Sequence, residues 1–164
     1  MARLVRRLRR VAQGGCAILL LAAPLAHAGT LAVGQALPAM TLFDQHERPV
    51  PLDANTRLVL FAADKAAGDL MQGVLAGLPA GALGQHAAVY VADISGMPAM
   101  VTRLFALPAL REQAYPVALG RLPGDTAALP RKKGAVTVMR FDRGALRSVD
   151  YLSEPGALGA LLKP

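Results

Sequence analysis

The 164-residue sequence predicts one α/β domain built on a central mixed sheet flanked by helices. Three observations carry this. Arg57–Ala63 (RLVLFAA) and Ala87–Ala92 (AAVYVA) are continuous apolar runs with polar flanks, as expected of strands buried on both faces. A helical pattern follows each run, and strands separated by crossover helices pair in parallel. Ala135–Phe141 and Ala145–Tyr151 flank Asp142-Arg143-Gly144, a turn suited to a three-residue hairpin connection, so an antiparallel pair joins the parallel core.

The remaining elements follow in chain order. Gly29 to Pro38 is a lead-in of small residues, and Ala39 to Leu52 reads as two short extended pieces around the polar turn Asp44 to Arg48. Asp64 has the chemistry of an N-cap, because its carboxylate can accept from the unpaired amides of the next turn. Ala66, Leu70, Met71, Val74, Leu75 and Leu78 then recur at helical spacing, and Pro79-Ala80-Gly81 ends the helix. Asp93 to Gly96 closes the next strand, and Pro98 opens a helix interrupted near Pro108 and ending around Gln113. VALGR (117–121) makes a short strand, 122–134 is a loop with two prolines, and Pro155 to Leu162 is a terminal helix.

Charge and composition exclude several function classes. The net charge of +7 suggests nucleic acid until the charges are placed: five of the eighteen basic residues (Arg3, Arg6, Arg7, Arg9, Arg10) precede the apolar run Cys16 to Ala26, and no acid precedes Asp44. That arrangement, closing on Ala26-His27-Ala28, predicts a signal peptide over 1–28 with cleavage after Ala28, export to the periplasm, and a domain over 29–164. The remainder holds 13 basic and 11 acidic side chains, a net of +2, which predicts no nucleic-acid partner. The apolar run is short and broken by Pro24, so no stable membrane anchor is expected after cleavage. The arginine pairs leave the general secretory and twin-arginine routes both open.

Cys16 is the only cysteine, so 29–164 can form no disulfide and do no thiol chemistry. His46 and His86 are forty residues apart with no paired-ligand spacing, and no metal site is expected. No Gly-rich phosphate loop and no Gly-x-Ser-x-Gly elbow appears, and no cofactor is expected. Arg131-Lys132-Lys133 is the densest charge after the leader and reads as a solvated loop.

Three stretches in order, Val33 to Pro38 with Thr41 to His46, Leu58 to Leu70, and Val136 to Gly144, resemble the thioredoxin-like superfamily in the branch of peroxiredoxins and exported TlpA-like oxidoreductases. The closing strand, turn, strand and helix also resemble the cysteine-free YtfJ type of exported protein. The resemblance implies a three-layer thioredoxin-like sandwich. It also implies that Ala66, Ala67, Gly68 and Asp69 occupy the redox motif, with Ala66 and Asp69 where two cysteines would sit, and that Gly134-Ala135 stands where the family tends to carry a cis-proline.

Parallel strands collect their following loops at one sheet edge, so Asp64, Lys65, Asp69 and Asp93 are expected to converge as a candidate ligand edge. The competing expectation is structural: Asp64 caps a helix, Asp69 is a solvated first-turn acid and Asp93 closes a strand. The expected function is an exported module that binds a protein or small-molecule partner without thiol redox activity. The alternatives are an enzyme using Asp and Lys chemistry at the same edge, and a structural part of an envelope assembly.

Overall fold

The computed structural model describes residues 29–163. The predicted signal peptide lies outside the described residues. A seven-stranded mixed sheet forms the centre, in the order β2-β1-β5-β4-β3-β6-β7. β1 (Met40–Phe43) and β2 (Pro49–Leu52) are the antiparallel pair expected around the polar turn. β3 (Leu58–Ala62), β4 (Ala88–Asp93) and β5 (Ala118–Gly120) are mutually parallel. β3 lies between β4 and β6 (Val136–Asp142) and is buried along its whole length, which is why it reads as an uninterrupted apolar run.

β6 and β7 (Ala145–Leu152) form the hairpin, with a register shift between Arg140 and Phe141. The connection is shorter than the three residues expected. Asp142 pairs with Ala145, and only Arg143 (φ 51°) and Gly144 (φ 76°) turn the chain. Two consecutive positive φ values give the twist that matches a two-residue hairpin, and glycine takes the second without strain.

Helix α1 (Lys65–Ala76) follows β3 and buries Ala67, Met71, Val74 and Leu75. It stops three residues before Pro79, because the Gly77 amide turns back to the carbonyls of Val74 and Leu75. A four-residue helix α2 (Ala82–Gln85) then leads into β4, too short to leave a periodic signal. After β4 come α3 (Ala99–Val101), a π-helical turn over Thr102–Ala106, and α4 (Leu107–Arg111). The expected interruption is this widened turn. Pro108 has no amide to give its preceding turn, and the Leu107 amide reaches back five residues to Thr102. None of α3, the π turn and α4 buries a residue, and Met100, Val101, Leu104 and Phe105 face outward. α5 (Pro155–Leu161) closes the chain against α1.

Strand alternation divides the core between the two sheet faces. Leu58, Leu60, Tyr90, Leu119 and Val138 meet α1, α2 and α5 through Met71, Leu75, Leu83, Leu158 and Leu162. Val59, Phe61, Val91, Met139 and Phe141 point the other way, toward Leu31, Leu37 and Leu129. That layer is irregular chain, from the lead-in and the 122–134 loop. It is stitched down by Leu31 donating to the Ala128 carbonyl (2.8 Å), Gly34 to Leu146 (2.8 Å) and Leu37 to Gly144 (2.9 Å).

Candidate functional site

The turn from β3 into α1 is the place where the sequence puts its candidate residues. Asp64 is extended (φ −150°, ψ 172°), and its carboxylate accepts the Ala67 amide at 3.0 Å, as an N-cap does. Its second oxygen accepts the Gly134 amide at 2.8 Å, which ties the start of α1 to the loop leading into β6. The amides of Ala67 and Gly134, aided by Ala66 and the Lys133 charge, outweigh burial and hold the Asp64 carboxyl below its ordinary range.

Ala66 is exposed as the second residue of α1, while Ala67 is buried beneath it. Lys65 and Asp69 form an i,i+4 pair at 2.6 Å, with side chains 81% and 59% exposed. The negative charge near this helix start is therefore already matched: Asp64 by amides and Asp69 by Lys65.

Asp93 ends the neighbouring parallel strand, and it is tied to the same loop as Asp64, through Arg131 where Asp64 uses Gly134. Its side chain is 7% exposed and enclosed by donors: the Ser95 amide (3.0 Å), the Ser95 hydroxyl (2.7 Å), the Thr126 hydroxyl (2.7 Å) and Arg131 (3.0 Å). Burial pushes this carboxyl up, but these bonds outweigh it and hold it below the usual range. Arg131 also donates to the Thr126 carbonyl at 2.7 Å and lies 5.3 Å from the centre of the Phe61 ring. The basic run expected to be a solvated loop thus gives one member to the irregular layer. Gly120 makes this possible: a β-carbon there would stand 2.5 Å from Thr126 Cγ2.

An acid catalyst at this edge requires a carboxyl raised by burial or by a like charge. Asp64 and Asp93 are both shifted the opposite way. The arrangement orders backbone and closes loops, and leaves Lys65, Ala66 and Asp69 as the exposed surface. Among the described residues, no group of three or more His, Cys, Asp or Glu could hold a metal ion, and no helix is long and apolar enough to cross a membrane.

Sequence reasoning missed Gln45. It is 1% exposed inside the polar turn, its Nε2 donates to the Tyr115 carbonyl (2.8 Å), and its Oε1 accepts the Val117 amide (2.9 Å). Its own carbonyl accepts from Arg111 at 3.0 Å. A glutamine in a surface-like turn gives no signal of burial, and its partners are some seventy residues away. Asp44 beside it is also buried. Burial raises its carboxyl, but the Arg48 and His46 amides and the Arg48 guanidinium hold it low.

The geometry places the chain in the thioredoxin-like fold, an α/β sheet with a helix beginning at the end of a buried parallel strand. Comparison with solved structures agrees. A putative protein disulfide isomerase from Bacteroides thetaiotaomicron superposes with a TM-score of 0.53 at 14% identity, covering 80% of this chain and 86% of that one. Peroxidoxin BcpB from Mycobacterium tuberculosis gives 0.50 at 15% identity, covering 80% and 96%. No protein-family model and no curated protein matches the chain.

Proposed function

We propose that this chain is an exported thioredoxin-like binding module with no thiol redox activity, which meets a protein or small-molecule partner at the exposed start of α1. One observation carries the proposal: Ala66, presented at the second position of that helix, offers a methyl group where the resemblance puts a nucleophilic sulfur, and 29–164 holds no cysteine. A helix N-terminus stabilises a thiolate by its amides and dipole. Here the Ala67 amide is given to Asp64 instead. The disulfide isomerase and peroxidoxin activities named for the two superposed structures would both need sulfur chemistry at this turn. The partner surface is formed by Lys65, Ala66 and Asp69, with Lys133 on the adjoining loop supplying positive charge.

The test is an insulin-disulfide reduction assay together with peroxide consumption, both on purified protein free of added thiol catalysts. Neither is expected above background, and turnover in either would overturn the proposal. Sequencing of the exported protein is expected to begin at Gly29; retention of the leader would contradict the export reading.

A further inference from the structure

At the end of the sheet opposite Asp64 and Asp93, two grooves meet along one wall, the segment Gln113 to Pro116. The first, about 510 Å³, is walled by apolar side chains including Leu75, Leu78, Pro79, Leu83 and Ala88, with Glu112 its one charged lining residue. The second, about 480 Å³, is bounded by the turn that carries His46 and Arg48. A cavity of about 50 Å³ lies between them: Leu83, Ala88 and Pro116 also line the first groove, Val50 and Pro116 the second. Through these shared residues the three adjoin as a trough with an apolar end and a polar end, and the two larger grooves each have the size of a small-molecule site.

Charge at the polar end favours an acidic ligand group. The acids of the turn are already matched, Asp44 by the amides of His46 and Arg48 and by the Arg48 guanidinium, Glu47 by Arg121 at 2.7 Å. Arg48 gives only its Nε to Asp44 and remains 66% exposed, His46 is exposed, and Arg111, anchored on the Gln45 carbonyl, adds a further positive charge close enough to act on Glu47. The shared wall is fixed in advance, because Gln45 clamps the backbone on both sides of Pro116. A preformed wall lowers the ordering cost of binding.

We infer that this trough binds a single-chain amphiphile with an acidic head, its alkyl tail along Leu75, Leu83 and Ala88 and its head at Arg48 and His46. This site is separate from the exposed start of α1, so the two proposals stand or fall independently.

Calorimetric titration with dodecanoate below its micellar range tests it, with dodecanol as the uncharged probe and vesicles of phosphatidylglycerol as the lipid-surface probe. Saturable one-to-one binding of dodecanoate is expected, with dodecanol about tenfold weaker, the difference of one charge-assisted contact. Arg48→Ala is expected to bring the two probes within about threefold of each other. Ala80→Trp, at an exposed groove position, is expected to abolish binding while thermal unfolding shows the fold intact. Equal affinity for acid and alcohol, an unchanged affinity in Ala80→Trp, or binding to vesicles without binding to monomeric dodecanoate would each overturn the inference.

Discussion

The two faces of the sheet are covered by different kinds of chain. On one face, α1 and α5 bring rows of apolar side chains to strand residues of the same kind, so the contact is spread over many small terms. On the other, the lead-in and the 122–134 loop lie over Val59, Phe61 and Met139 with few large side chains of their own, chiefly Leu31, Leu37 and Leu129. Irregular chain has unpaired backbone groups and little periodic apolar surface, so a few polar fasteners hold it: Asp93 with Thr126 and Arg131, and Asp64 with Gly134. The difference teaches that acids collected at the end of parallel strands can serve the layer above them, which is how Asp64 and Asp93 act here.

Acid should break this comparison most broadly, because it loosens both fasteners together. The carboxyls of Asp64 and Asp93, and of Asp44 in the turn, sit below their ordinary value of 3.8 when folded. The unfolded chain therefore binds more protons in this range, so their contribution is fully present above about pH 4 and is lost as pH falls through the folded values. Urea unfolding at a series of pH values should show a midpoint that is flat near pH 6 and falls steeply below pH 4, with a shallower fall in Asp93→Asn.

Asp93→Ala is expected to cost about 3 kcal/mol, since Thr126 and Arg131 lose their acceptor, the half-exposed guanidinium softening the effect. Gly120→Ala should cost about 2 kcal/mol through its collision with Thr126 Cγ2. Adding Thr126→Ser, which removes that methyl, should recover much of the loss; purely additive effects in denaturant titration would contradict the contact. Asp64→Ala is expected to cost about 1–2 kcal/mol, and Asp69→Asn no more than about 0.5 kcal/mol, because one is a cap with a second backbone bond and the other half of a solvated pair. Equal costs at the two positions would remove the distinction between them.

The helical face was the legible one. The period of Met71, Val74 and Leu75, the Asp64 cap and the apolar runs of β3 and β4 are local signals, and the structure places them within a residue or two of expectation. The irregular face was not legible, because nothing local marks Thr126 as buried or Arg131 as the partner of an aspartate 38 residues earlier. The same holds for Gln45 and for the trough, whose walls come from β2, α1, α2 and the segment before β5. Order along the chain revealed the architecture, whereas the bonding partners of Asp69 and Asp93 depended on side-chain direction. Asp93 turned toward the loop and Asp69 toward Lys65.

Amide hydrogen exchange in Asp93→Asn, compared with the unsubstituted protein, tests most directly whether the edge acids hold the irregular layer. Protection should fall selectively at the amides of Leu31 and Leu129 and across 126–134, while α1 and α5 keep theirs. A uniform loss over both faces, or unchanged protection at Leu31 and Leu129, would contradict the assignment of Asp93 as a fastener of that layer.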